Sequence, residues 1–129
     1  MIDHVGFGVT NLERSRAFYD AALRPLGLAA IMEVGPDKTE SGGSAIGYGQ
    51  DGNPFFWIGD NELPGEGTHV ALTVDSRAEV DAFHAAAVAA GGRDNGAPGL
   101  RPHYGRNYYA AFVFDPDGAN IEAVCHKPD

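Results

Sequence analysis

The feature that most constrains this chain is a strand pattern that occurs twice, each time with a histidine at its start. Residues 4–9 and 69–74 both alternate, so three apolar residues share one face of each predicted strand. The opposite face carries the histidine beside smaller residues. An apolar face requires a helix against it, and a face of small residues leaves room for a ligand.

The similarity between the two segments extends along most of the chain. The histidines lie 65 residues apart, at positions 4 and 69, and further along the spacing becomes 66. The matched pairs are Phe18 with Phe83, Gly27 with Gly92, Asp51-Gly52 with Asp117-Gly118, and residues 44–48 with residues 110–114. A repeat of this length predicts two copies of one supersecondary unit.

Each copy has the order strand, helix and three strands. The first module covers residues 1–59, a linker rich in Gly and Pro covers residues 60–68, and the second module covers residues 69–129. Capping boxes predict the helix starts, with Thr10 and Ser76 as the N-caps. The predicted buried helix residues are Ala17, Phe18, Ala21 and Ala22 in the first module, and Val80, Phe83, Ala87 and Ala90 in the second.

Composition excludes several classes of function. A chain of 129 residues with 43% hydrophobic residues suffices for one globular domain. The net charge is −9 and no basic stripe is visible, which argues against a nucleic-acid partner. No apolar run is long enough for a membrane span, and we expect no signal peptide. The lone Cys125 fits a reducing compartment, so we predict a cytoplasmic protein.

The least regular stretch is residues 93–107, which is rich in Gly and Pro and contains at most a short strand. It also carries Arg101, His103, Tyr104 and Arg106. A loop with this mixture is a candidate lid or substrate contact.

Glu122 lies in the middle of the last predicted strand. Its neighbours Ile121 and Ala123 belong to the face that matches the helix-packed faces, so Glu122 points into the same concavity as His4 and His69. A carboxylate in an apolar strand must be paired, hydrated or bound to a metal. Two imidazoles and one carboxylate suit a divalent metal with open coordination positions.

Plainer interpretations exist for each residue alone. A single histidine at a strand start is most often a surface residue, and Glu122 alone would most often be solvated. We interpret His84 as solvent-exposed and His126 as a surface residue. Cys125 is expected to be a buried, inert thiol, and Tyr48, Phe56 and Trp57 are more often core than pocket.

The combined motifs resemble the vicinal oxygen chelate superfamily, which includes glyoxalase I, bleomycin-resistance proteins and extradiol dioxygenases. The residues that carry the resemblance are Asp3-His4-Val5, residues 12–19, His69-Val70-Ala71, residues 115–118 and Asn120-Ile121-Glu122. The resemblance implies an α+β fold of two βαβββ modules, which form a cup-shaped, partly closed mixed β barrel with helices outside. It also implies a homodimer.

The resemblance further implies metal ligands on the first and last strands of each module. His4, His69 and Glu122 match three of these positions, and the spacing of 66 places the fourth at Phe56, which cannot ligate. Glyoxalase I has a glutamate there. Two histidines and one glutamate are similar to the ligands of extradiol dioxygenases and fosfomycin-resistance transferases.

Two functions follow as hypotheses. The first is a metalloenzyme of dioxygenase, lyase or thiol-transferase type, in which Fe, Mn, Zn or Ni chelates a small substrate with vicinal oxygens. The second is a metal-free protein that sequesters a small aromatic or cationic molecule. The candidate catalytic residues are Tyr108, Tyr109 and His103, and the candidate substrate-binding residues are Phe56, Tyr48, Arg101 and Arg106.

Overall fold

The fold was determined as a computed structural model, which describes residues 1–65 and 67–129. Glu66, in the predicted linker, lies outside the described residues. The module boundaries at residues 59 and 69 stay a prediction.

The first half of the chain forms one four-stranded mixed sheet with one helix. Its elements are β1 (Val5–Gly8), α1 (Leu12–Leu23), β2 (Ala29–Val34), β3 (Ala45–Gln50) and β4 (Asn53–Gly59). The strand order is β1-β4-β3-β2, with β1 parallel to β4 and the other pairs antiparallel. Two short 3₁₀ helices, Arg24–Leu26 and Pro36–Lys38, lie beside β2 in the chain.

The second half repeats this arrangement. Its elements are β5 (His69–Thr73), α2 (Arg77–Ala89), β6 (Arg93–Leu100), β7 (Tyr109–Phe114) and β8 (Asn120–Cys125), with strand order β5-β8-β7-β6. The stretch 93–107 is more regular than expected. Its first eight residues pair with β7 as an edge strand, because two register shifts accommodate the glycines and the proline.

The predicted N-cap is right for one helix and wrong for the other. Ser76 is the N-cap of α2, as predicted, because its side chain accepts a hydrogen bond from the backbone N–H of Glu79. The prediction of Thr10 for α1 is wrong, since Asn11 is the N-cap. The backbone N–H and the hydroxyl of Thr10 instead donate to Asp117, in the second half of the chain.

Both helices pack into one core that runs through the two halves. Phe18 and Phe83 are fully buried, as the repeat predicts. The predicted burial of Ala17 and Ala21 is wrong, because α1 is rotated so that Tyr19 and Leu23 face inward. The Tyr19 hydroxyl donates to Asp115 over 2.6 Å, which joins α1 to the turn between β7 and β8.

The strand register corrects the offset between the two halves. Phe56 pairs with Val5 and Ile121 pairs with Val70, so the strands keep a spacing of 65. The spacing of 66 applies to the Asp-Gly turns alone, since a bulge after Tyr48 restores the register in β4. The residue at the position of Glu122 is therefore Trp57.

The concave faces of the sheets form a partly open cup, and the α+β prediction is confirmed. Within residues 1–65 and 67–129 there is no closed barrel, because β1 and β5 are each paired on one side only. No helix in this part of the chain is both long and apolar enough to cross a bilayer.

Candidate functional site

The strongest candidate site is the concave face of the second sheet, around Glu122. The alternation in β8 buries Ile121 and Ala123 in the core and turns Glu122 to the opposite face. Glu122 is nonetheless only 1% exposed, and desolvating a bare charge is costly. Two side chains offset this cost, because each of them forms a hydrogen bond with one of the two carboxylate oxygens.

The first partner of Glu122 is His69, at the start of β5. Its Nε2 lies 2.9 Å from the Glu122 Oε1, and its side chain is 47% exposed. The imidazole therefore contacts the carboxylate through Nε2, while about half of its surface is open to solvent. A half-exposed imidazole beside a buried carboxylate places two metal-ligand types at the surface of the cup.

The second partner is Tyr108, whose hydroxyl donates to the other carboxylate oxygen of Glu122. Burial, followed by this hydrogen bond, raises the pKa of Tyr108 to about 12. The phenol is therefore protonated at neutral pH and acts as a donor. The Tyr108 hydroxyl therefore supplies one of the two side-chain contacts that hold the buried Glu122 carboxylate in place.

A row of aromatic and imidazole rings extends from Tyr108 toward the rim of the cup. The Tyr108 ring centroid lies 5.3 Å from that of Tyr104, which lies 4.2 Å from that of His103. On the other side, the ring of His126 lies 5.1 Å from Tyr108. His103 and His126 are both exposed, as expected for His126.

The predicted arginines lie on the turn over this face. The Arg101 guanidinium donates to the backbone carbonyls of Ala97 and Gly99 and covers the ring of Phe112 at 5.4 Å. It stabilises the turn and borders the site through Phe112, which is the cross-strand neighbour of Glu122. Arg106 lies exposed on the same turn.

Three predicted site residues point away from the cup. Tyr109 follows Tyr108 in the chain, and its hydroxyl donates to Asp81 of α2 over 2.6 Å. Phe56 and Tyr48 are fully buried among aromatic rings of the core. The substrate-binding roles of Phe56 and Tyr48 and the catalytic role of Tyr109 therefore find no support, because strand alternation turns each toward the helix side.

His4 lies just before β1, in the first half of the chain. Its side chain is 58% exposed, and its Nδ1 lies 2.6 Å from a carboxylate oxygen of Asp3. His4 and His69 both line a cavity of about 730 Å³ that runs along the free edge of β5. His4 also lines a second cavity of about 360 Å³ on the concave face of the first sheet.

The donor set supports part of a metal site. His69 and Glu122 are within reach of one another, but no cluster of three metal-ligating side chains occurs among the residues that the structure describes. One protomer therefore brings two of the three predicted ligands together, and His4, just before β1, does not form a three-residue cluster with them among the described residues.

The expectation that Trp57 belongs to the core is corrected, since Trp57 is half-buried and lines the cavity on the concave face of the first sheet. Phe112, on the concave face of the second sheet, was not among the candidate residues. The pairing of Trp57 with Gly6 and Gly47 is the signal that identifies its face. The prediction that His84 is solvent-exposed is wrong, since its side chain is 18% exposed and its Nε2 lies 2.9 Å from the Oδ1 of Asp94.

The fold and this site define a class of proteins built from paired βαβββ modules around a polar cup. The family model "Glyoxalase/Bleomycin resistance protein/Dioxygenase superfamily" matches residues 1–123. The chain belongs to this superfamily. A comparison with the curated proteins finds no match.

Solved structures agree with this assignment. A glyoxalase/bleomycin resistance protein from Albidiferax ferrireducens T118 is 33% identical, with 99% of each chain covered and a TM-score of 0.76. Glyoxalase I from Zea mays is 22% identical with a TM-score of 0.71, and the match covers 99% of this chain but 45% of the maize chain. A glyoxalase-related enzyme from Fulvimarina pelagi is 22% identical, with 97% and 87% covered and a TM-score of 0.66. The last two likenesses show the fold.

Proposed function

We propose that this protein is a metalloenzyme of the superfamily. His69 and Glu122 would hold a divalent metal together with His4, and a small substrate with vicinal oxygens would bind in the open positions. The reaction would be of dioxygenase, lyase or thiol-transferase type, with Fe, Mn, Zn or Ni as the metal. The observation that carries the proposal is the buried Glu122 carboxylate, paired with an imidazole on an open concave face.

We infer that His4 comes from a second copy of the chain. The described part of a single protomer contains no cluster of three ligands, and both β1 and β5 have a free edge. Free strand edges are normally covered in native proteins. A symmetric homodimer that covers these edges would bring the His4 end of one chain toward the His69 end of another.

Each residue would have a distinct task. His4, His69 and Glu122 would donate lone pairs to the metal, which acts as a Lewis acid toward substrate oxygens. Tyr108 would hold Glu122 in position through its hydroxyl, and its pKa of about 12 keeps that proton on the phenol. His103 and Arg106, at the rim of the cup, would orient the substrate or move a proton. We expect this activity in the cytoplasm.

Metal content of the purified protein tests the proposal. We expect one metal per chain in the wild type, and little or none in Glu122→Ala or His4→Ala. His84→Ala is the matched control, because His84 and Asp94 form another imidazole–carboxylate pair at the same 2.9 Å separation. Full metal content in Glu122→Ala would exclude the proposed site.

Mixing the variants tests the shared site. If His4 acts across the dimer, refolding Glu122→Ala together with His4→Ala gives heterodimers with one intact site each. The mixture should then regain about a quarter of the wild-type metal content, from the symmetry of the dimer. Complementation would be absent if each site lay within one chain.

A second candidate function is metal-free binding of a small molecule. The half-buried Trp57, at the position of a ligand in the other module, favours it. A thermal-shift comparison separates the two functions. A metalloenzyme should lose stability on addition of a chelator, whereas a metal-free binder should not respond.

A further inference from the structure

The concave face of the first sheet holds a feature that the proposed metal chemistry does not use. Trp57 occupies the position that Glu122 has in the second sheet, on the strand next to the edge. It lines the cavity of about 360 Å³, together with His4 and the polar segment Lys38, Thr39, Glu40 and Ser41. An aromatic side chain that is half-buried beside an open cavity has one surface free for contact.

The neighbours of Trp57 fix how its indole lies. Its cross-strand partners on both sides are glycines, Gly6 and Gly47. A Cβ atom added at Gly47 would lie 2.8 Å from Cζ2 and 2.9 Å from Cε2 of the indole. The ring therefore rests directly on the backbone of β3, which supports it as a flat surface.

The size of the cavity indicates the occupant. About 360 Å³ lies at the lower end of the range for small-molecule sites, and it is too small for a folded partner. Flat aromatic surfaces bind other rings by offset stacking or edge contact, which gives an advantage over aliphatic groups of equal size. The polar residues beside Trp57 suit the substituents of such a ring.

We propose that Trp57 is a specificity-determining residue, against which the protein stacks a planar aromatic ring of its small-molecule ligand. This inference deepens the proposed function, on which it rests, because it names the shape of the molecule that enters the cup. The second sheet then supplies the carboxylate and imidazole, and the first sheet selects the ring.

Two probes test this directly in chelator-treated protein. 2-Naphthol is planar and aromatic, whereas decahydro-2-naphthol has the same skeleton and hydroxyl group without the π system. Calorimetric titration should show that the wild type binds 2-naphthol about twofold to tenfold more tightly. Because Trp57 is the sole tryptophan of the chain, 2-naphthol should also quench the protein's emission in a saturable manner.

Variants identify the surface responsible. Trp57→Leu should bind both probes equally, and Trp57→Phe should keep part of the preference. Gly47→Ala should weaken 2-naphthol binding with Trp57 still present, because the added methyl group displaces the indole. Phe114→Leu, which removes a half-buried aromatic ring on β7, is the control and should behave as the wild type.

Equal binding of the two probes by the wild type would overturn the inference, as would an unchanged preference in Trp57→Leu. Should Trp57→Leu fail to fold, as judged by circular dichroism, Trp57→Phe and Gly47→Ala decide the question, and an unchanged preference in both would overturn it. Because metal is absent throughout, failure of the metal proposal leaves these results unaffected.

Discussion

The two sheets share one topology and one register, yet their concave faces carry different chemistry. At equivalent positions the first sheet has Trp57 beside Gly47, whereas the second has Glu122 beside Phe112. Their opposite faces are alike, since Phe18 and Phe83 fill equivalent places in the common core. The comparison indicates that the residues on the helix side stabilise the fold in both halves. The residues on the concave side differ between the halves, and we expect them to have different functional roles.

The largest expected effect concerns the shared core. Phe18→Ala and Phe83→Ala should each lower the free energy of unfolding by about 3–5 kcal/mol, because each opens a cavity at a fully buried position. Urea denaturation should give similar losses and one transition in both variants, since one core spans both halves. Two separate transitions would show that the halves unfold independently, contrary to this comparison.

The next prediction contrasts two consecutive tyrosines where β7 begins, one directed to the concave face and one to the helix side. Tyr108→Phe should cost about 1–2 kcal/mol, because the buried carboxylate of Glu122 loses one of its two side-chain donors. Tyr109→Phe is the matched control, since its hydroxyl bonds Asp81 at the surface, and the loss should be at most about 0.5 kcal/mol. Equal losses of stability in the two variants, measured by urea denaturation, would show that the bond from Tyr108 to Glu122 contributes no more than the surface bond of Tyr109.

The helix caps give a smaller, symmetric effect. Asn11→Ala and Ser76→Ala should each destabilise the protein by about 1 kcal/mol, because each leaves a backbone N–H of the first turn without its acceptor. Thr10→Ala tests the correction to the cap, since the Thr10 hydroxyl donates to Asp117 and accepts from the Arg14 side chain, whereas the backbone N–H of Arg14 donates to Asn11. Thermal unfolding of the three variants, monitored by circular dichroism, measures these losses. A loss of about 1 kcal/mol in Thr10→Ala, together with no loss in Asn11→Ala, would assign the N-cap of α1 to Thr10 instead.

The smallest effect is the contribution of Tyr48, in the first half, to the pH dependence of stability. Burial, followed by the hydrogen bond to Asp20, raises the pKa of Tyr48 above its ordinary value of 10.0. A raised pKa in the folded state contributes stability that is complete below pH 10 and is lost as the pH rises further. Tyr48→Phe should therefore show a shallower loss of stability than the wild type above pH 10. Identical slopes in denaturation experiments would contradict this assignment.

Much of the fold follows from local patterns in the sequence. The alternation around His4 and His69, the cap at Ser76 and the buried face of α2 all appear in the structure as predicted, because each depends on residues a few positions apart. The strand β6 was harder to recognise, since its glycines and proline are typical of loops. Its pairing with β7, a tertiary contact, stabilises it as a strand.

The candidate site shows the same division. The sequence by itself determined that His69 and Glu122 share a face, because strand alternation is a local property. Only the tertiary structure decided which residue of the first half is equivalent to Glu122. The Asp-Gly turns indicated Phe56, whereas the bulge after Tyr48 restores the register and places Trp57 there. A bulge adds one residue to a strand and can offset a residue that is missing on the other side of a turn, so register depends on the backbone pairing between strands and not on spacing along the chain.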